Sequence, residues 1–161
     1  MNIKRFRMRT KYSSLFTLVL VAIAFYATGC KPKYEEADKL FKQGYYRQSA
    51  IIFEEFSKST KDKKLKSEAI FFAAEAYRLS DEYDKALRLY DKVLKTDPKN
   101  TKALLMRANM LKKVEKYREA LDAYDVYLAE VPGDTLADVR KQGCELALQW
   151  TEDSSQFEVE K

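Results

Sequence analysis

Two cysteines, scattered carboxylates and no histidine make up the chemical inventory of this 161-residue chain. Without His there is no Ser-His-Asp triad, no Cys-His pair and no imidazole to ligate zinc or act as a base near neutral pH. Adjacent acids occur at Glu35-Glu36, Glu54-Glu55 and Asp81-Glu82. Neighbours in a helix point about 100° apart, so such pairs do not converge on one substrate atom and read as solvated helix faces. Gly44, Gly133 and Gly143 are too scattered to build a phosphate-cradling loop. Two Cys are too few for a structural zinc site. Cys144 lies beside an apolar helical stripe and reads as a small buried hydrophobe. The expectation is a protein that is not an enzyme, with no catalytic residues, no cofactor, no metal and no small-molecule substrate.

Cys30 has different surroundings. Lys4, Arg5, Arg7, Arg9 and Lys11 form a basic start, and an apolar run follows from Leu15 to Tyr26, broken only by Thr17. Ala27, Thr28 and Gly29 then precede Cys30. A basic region, a short apolar core and small residues at the cut predict a secretory signal over residues 1–29. The apolar run is shorter than the roughly 20 residues that span a bilayer. Ala27-Thr28-Gly29-Cys30 resembles the bacterial lipobox, although Ala27 stands where Leu is commonest. That resemblance implies a lipidated Cys30 as the mature N-terminus and a membrane attachment through the lipid. The formal charge of +5 then changes meaning. The signal takes five of the 30 basic residues and none of the 25 acids, so the mature chain balances 25 against 25. No global field remains to draw it to nucleic acid.

These groups must be carried by helices. Four Gly and three Pro are too few for the turns of an all-β fold. Pro98 and Pro132 stand one repeat apart, as do Ala74 and Ala108, Tyr83 and Tyr117, Ala86 and Ala120, and Tyr90 and Tyr124. A slightly longer shift brings in Ala37, Tyr46, Ser49 and Phe53 from an earlier unit. The extra residues fall in the Lys-rich stretch 58–66, expected to be a loop. This pattern resembles the tetratricopeptide repeat (TPR), whose period is about 34 residues. The resemblance implies an all-α solenoid of three helix-turn-helix units, at about 30–66, 67–100 and 101–134. Small residues let helices approach, aromatics fill the space between units, and proline stops the second helix. Helices are predicted at about 33–43, 46–58, 64–80, 83–96, 101–113, 117–130 and 135–151. The last one carries Leu136, Val139, Leu146, Ala147 and Trp150 at helical spacing. It is expected to act as a cap over the final apolar face, and the tail 152–161, which lacks periodicity, to be flexible.

In TPR proteins the first helix of each unit lines a concave groove. The resemblance carries this role to Lys31, Tyr34, Asp38, Phe41 and Lys42 in unit one. Unit two supplies Glu68, Phe71, Phe72, Glu75 and Arg78. Unit three supplies Lys102, Leu105, Met106, Asn109, Lys112 and Lys113. Tyr34, Phe41, Phe71, Leu105 and Met106 are expected to form an apolar protein-binding strip flanked by charge. Tyr34 and Asp38 stand where chaperone-binding TPR domains place Lys and Asn for a carboxylate clamp, so that peptide specificity is not implied.

The lipobox, the repeats, GCELALQW (143–150) and QFEVEK (156–161) together resemble one narrower family. It comprises TPR lipoproteins that continue into a β-propeller and an OmpA-like domain, such as the periplasmic lipoproteins of type IX (Por) secretion in Bacteroidota. That implies a scaffold binding other proteins of a secretion or envelope-assembly machine. Its place would be the periplasmic face of the outer membrane of a Gram-negative bacterium. Alternative roles are a subunit of an outer-membrane β-barrel assembly complex and a regulator of a peptidoglycan-acting enzyme.

Overall fold

The computed structural model describes residues 31–158, with side chains over residues 33–151. The predicted signal and Cys30 lie outside the described residues. Among those described, the chain is entirely helical: α1 Lys31–Lys42, α2 Tyr46–Ser59, α3 Lys63–Leu79, α4 Tyr83–Thr96, α5 Thr101–Lys113, α6 Tyr117–Glu130 and α7 Thr135–Glu158. Each helix packs chiefly on the one before and the one after it. This is the one-dimensional stacking of a TPR solenoid.

The same turn closes each of the three α-hairpins. Tyr45 N–H donates to the Leu40 carbonyl, Glu82 N–H to Tyr77, and Lys116 N–H to Leu111. One residue earlier, Gly44, Asp81 and Glu115 donate to Phe41, Arg78 and Lys112. These paired bonds are Schellman caps, which need a left-handed residue just past the helix. Gly44 adopts φ +83°, and Asp81 and Glu115 adopt 60° and 61° although neither is glycine.

Packing is closest at small residues. Ala37, Ala74 and Ala108 are fully buried, as are Ala69, Ala103, Ala86, Ala120 and Ser49. Ser49 also donates its hydroxyl to the Ala37 carbonyl at 2.8 Å, tying α2 to α1. Phe53, Tyr90 and Tyr124 fill the space that the small residues leave, and each is almost completely enclosed. Burying a ring of this size stabilises by roughly 2–3 kcal/mol.

Three expectations need correction. The Lys-rich loop is shorter than expected: only 60–62 lie outside helices. Lys63 joins Lys64 and Lys66 in the first turns of α3, and Lys58 lies in the last turn of α2, the latter three as the helix bounds 46–58 and 64–80 predict. Lysines at a helix N-terminus oppose its dipole. Asp62 offsets this by accepting from the backbone N–H of Lys64 at 2.8 Å and Leu65 at 3.1 Å. Second, α7 continues to Glu158 rather than ending at 151. No Gly or Pro interrupts 151–158, and elongating an existing helix costs far less than starting one. Third, α7 packs through a different face. Ala137 and Cys144 are fully buried, whereas Leu136, Val139, Leu146 and Trp150 are 57%, 61%, 53% and 72% exposed. Ala137 occupies the place that Ala69 and Ala103 hold in α3 and α5, so α7 docks like the first helix of a further unit. The Cys144 reading agrees: its thiol is buried, donates to the Arg140 carbonyl at 3.4 Å, and is pushed up in pKa by that burial.

Candidate functional site

The first helices α1, α3 and α5 place Asp38, Glu75 and Asn109 at equivalent positions on the concave face. Below two of them a tyrosine of the second helix reaches through. Tyr90 donates its hydroxyl to Glu75 Oε1, and Tyr124 donates to Asn109 Oδ1 at 2.8 Å. The ring that fills the interhelical space therefore also fixes a polar side chain facing the groove. Phe53 stands in this place in unit one and has no hydroxyl; there Asp38 accepts from Lys42 at 2.5 Å instead. Glu75 also holds Arg78, whose Nη2 lies 2.7 Å from Oε2. That hydrogen bond raises the Arg78 pKa further.

Burial holds these hydroxyls in the neutral, donating form. It pushes Tyr124 up to about 12. Tyr90 goes up strongly, from burial first and then the Glu75 bond. Tyr77 follows the same logic: burial, then its 2.9 Å bond to Glu54, lift it to about 12. Ionised tyrosine is disfavoured beside carboxylates and away from water.

The structure divides the expected groove residues among three surroundings. Glu68, Phe71, Phe72 and Lys102 border a cleft of about 410 Å³ at the N-terminal ends of α3 and α5. Arg78, Met106 and Asn109 line a second cavity of about 540 Å³ together with Lys112, Lys113 and Arg140. Tyr34 and Phe41 line neither of these two. Tyr34 packs edge-on against Phe53 and Phe56 at 5.2 and 5.3 Å, and Phe41 against Tyr46 and Phe72 at 5.5 and 6.2 Å. Phe71 in turn leans on Tyr90 at 6.1 Å. The expected open apolar strip is thus a half-buried one: Tyr34, Phe41, Phe71, Leu105 and Met106 are each partly covered. A solenoid only two helices thick recruits groove rings to complete its core. The more accessible chemistry is polar, led by exposed Lys102 and Lys113.

Arg140 is a groove residue that the repeat register did not include. It comes from α7, and Lys112 Nζ donates to its carbonyl at 3.3 Å. A Cβ on neighbouring Gly143 would sit 3.0 Å from the same Nζ, so α7 closes directly on the end of α5. The signal was available: moving Lys102, Leu105, Met106 and Asn109 one period on lands on Leu136, Val139, Arg140 and Gly143. Nothing in this arrangement pairs a nucleophile with a base. Among the described residues no cluster of His, Cys, Asp or Glu is arranged to hold a metal ion, and no helix is long and apolar enough to cross a membrane. What the face offers is fixed hydrogen-bonding groups and cations along a curved surface.

The family model described as anaphase-promoting complex, cyclosome, subunit 3 matches residues 42–127, more than half of the chain. No curated protein matches it. Among solved structures, MamA from Desulfovibrio magneticus RS-1 aligns with a TM-score of 0.61 at 22% identity, over 67% of this chain and 59% of that one. The chain therefore spans less than two thirds of MamA. The first TPR of Spaghetti (RPAP3), bound to an HSP90 peptide, aligns at 0.64 with 20% identity, over 74% and 93%. The Yersinia enterocolitica type III secretion chaperone SycD, in complex with a peptide of the translocator YopD, aligns at 0.63 with 14% identity, over 73% and 92%. At these identities the likeness is one of fold.

Proposed function

The chain belongs to the anaphase-promoting complex, cyclosome, subunit 3 family of TPR-like repeats, and from that premise we propose that it is a non-catalytic scaffold capturing a segment of a partner protein on its concave face. The carrying observation is the Tyr90–Glu75 and Tyr124–Asn109 pairing, which pre-orients polar groups on the concave face before any ligand arrives. Preorganisation of this kind lowers the entropy lost on binding. Two of the similar solved structures hold peptides of partner proteins, which supports the same use of this face.

The finer reading rests on the sequence. The protein is anchored through lipid on Cys30 at the periplasmic face of the outer membrane. Its partners are proteins of a secretion or envelope-assembly machine, with type IX secretion the leading candidate. Capture from detergent-solubilised envelopes tests the groove. Charge-bearing substitutions Phe71→Asp and Leu105→Asp should abolish recovery of a specific partner while circular dichroism shows a retained helical fold. Unchanged capture would remove the groove from the account. For the anchor, Cys30→Ala should leave the protein unacylated by metabolic lipid labelling; normal acylation would show that another residue carries the lipid.

A further inference from the structure

Leu136, Val139, Gly143, Leu146 and Trp150 fall in one narrow row along α7 at alternating three- and four-residue steps. The four large members are each more than half exposed. One edge of the row faces α5 and is net basic: Arg140 is there, with Lys112 bonded to its carbonyl, and Arg78, Lys112, Lys113 and Arg140 outnumber Glu115 around the same cavity. The opposite edge holds uncharged Gln142 and Gln149. The exposed acids of this stretch lie beyond that edge: Asp138 accepts from Gln142 Nε2 at 3.0 Å, and Glu145 stands further round the helix. The row is therefore apolar, bordered by positive charge on the side that joins the concave face, and free of negative charge within it.

We infer that the α7 row and the Lys112–Arg140 edge extend the concave face into a docking site for an acidic amphipathic helix of a partner protein. Leucine-type residues of that helix would lie along Leu136, Val139, Leu146 and Trp150, while its carboxylates meet Lys112, Lys113 and Arg140. This is helix-in-groove recognition, with the charges setting orientation and partner choice. Lys112 Nζ lies against Gly143 at the centre of the row, which brings its charge up to the apolar surface. The inference rests on the scaffold reading above and adds the chemical class of the occupant.

Trp150 supplies the readout, because it is the only tryptophan in the sequence. The full chain is titrated with three labelled, tryptophan-free synthetic peptides that share one leucine pattern at helical spacing. Their polar faces carry Glu, Gln or Lys. Trp150 emission and peptide anisotropy are followed together. The Glu peptide should shift the emission to the blue and bind about tenfold or more tighter than the Lys peptide, with affinity falling as salt rises. Arg140→Glu combined with Lys112→Glu should erase that preference. Leu146→Asp, at an exposed position, should remove the emission shift. Equal binding of the Glu and Lys peptides overturns the proposal. So does a blue shift that grows with protein concentration alone, which would mark a second copy as the occupant, or one produced by anionic vesicles and not by peptide. Binding that Phe71→Asp abolishes while Trp150 stays unchanged overturns this extension and leaves the groove reading standing.

Discussion

A buried tyrosine that reaches the opposite surface is the most informative residue in each of the last two units. Tyr124 fills the core with its ring and spends its hydroxyl on Asn109. Tyr124→Phe keeps the ring and strands the Asn109 carbonyl. Urea unfolding should show a loss of about 1 kcal/mol with an unchanged slope. The tyrosines also predict a pH limit. Tyr77 and Tyr124 lie at about 12 in the fold, against an ordinary 10. A raised pKa means that the folded state keeps its proton longer than the unfolded chain. The contribution to stability is thus complete below pH 10 and is lost as pH climbs through about 12. The unfolding midpoint should fall over that interval, and the Tyr77→Phe, Tyr124→Phe double variant should flatten the fall. An equally steep fall in the double variant would place the titration elsewhere.

At the scale of helices and turns, much of the structure was legible beforehand. The repeated Ala, Tyr and Pro positions announced seven helices, because an error at any one of them would break the register of the others. Two features escaped. The loop before α3 is shorter than the crowding of like charges suggests, because the Asp62 cap is sufficient to begin the helix at Lys63. On α7 hydrophobicity alone points Leu136, Val139, Leu146 and Trp150 at the core, whereas the close helix contact selects Ala137 and Cys144 for size. In the groove, the positions were legible from the repeat but their accessibility was not, since ring packing across units depends on neighbours that no single unit reveals. Two predictions belong here. Gly44→Ala forces a Cβ into a left-handed turn and should cost about 1 kcal/mol, while Glu115→Gly at the equivalent turn should not destabilise and relieves similar strain; thermal melts of both variants decide it. Asp134 accepts from the N–H groups of Leu136 and Ala137 at 3.1 Å and from the Tyr127 hydroxyl at 2.8 Å. Asp134→Ala should cost about 1–2 kcal/mol in denaturant unfolding, whereas Asp138→Ala, which caps nothing, should change little.

The described residues form a row of paired helices followed by α7. Repeat proteins distribute stability along such a row, and an uncovered end unravels first. Ending the chain after Asp134 would uncover the α6 side of Tyr124 and Tyr127. That form should bind a dye for exposed apolar surface and unfold with a lower slope in urea. The proposed scaffold role puts partner binding on the concave side, with exposed Ile51 and Val126 of the second helices as built-in controls. The most direct measurement is site-specific photocrosslinking in living cells. A photoreactive residue is placed in turn at Lys102 and Lys113 on the concave side, and at Ile51 and Val126 on the second helices. The scaffold account predicts a discrete protein adduct from Lys102 and Lys113 and none from Ile51 or Val126. Adducts of equal yield from all four positions, or from Ile51 and Val126 alone, would contradict it.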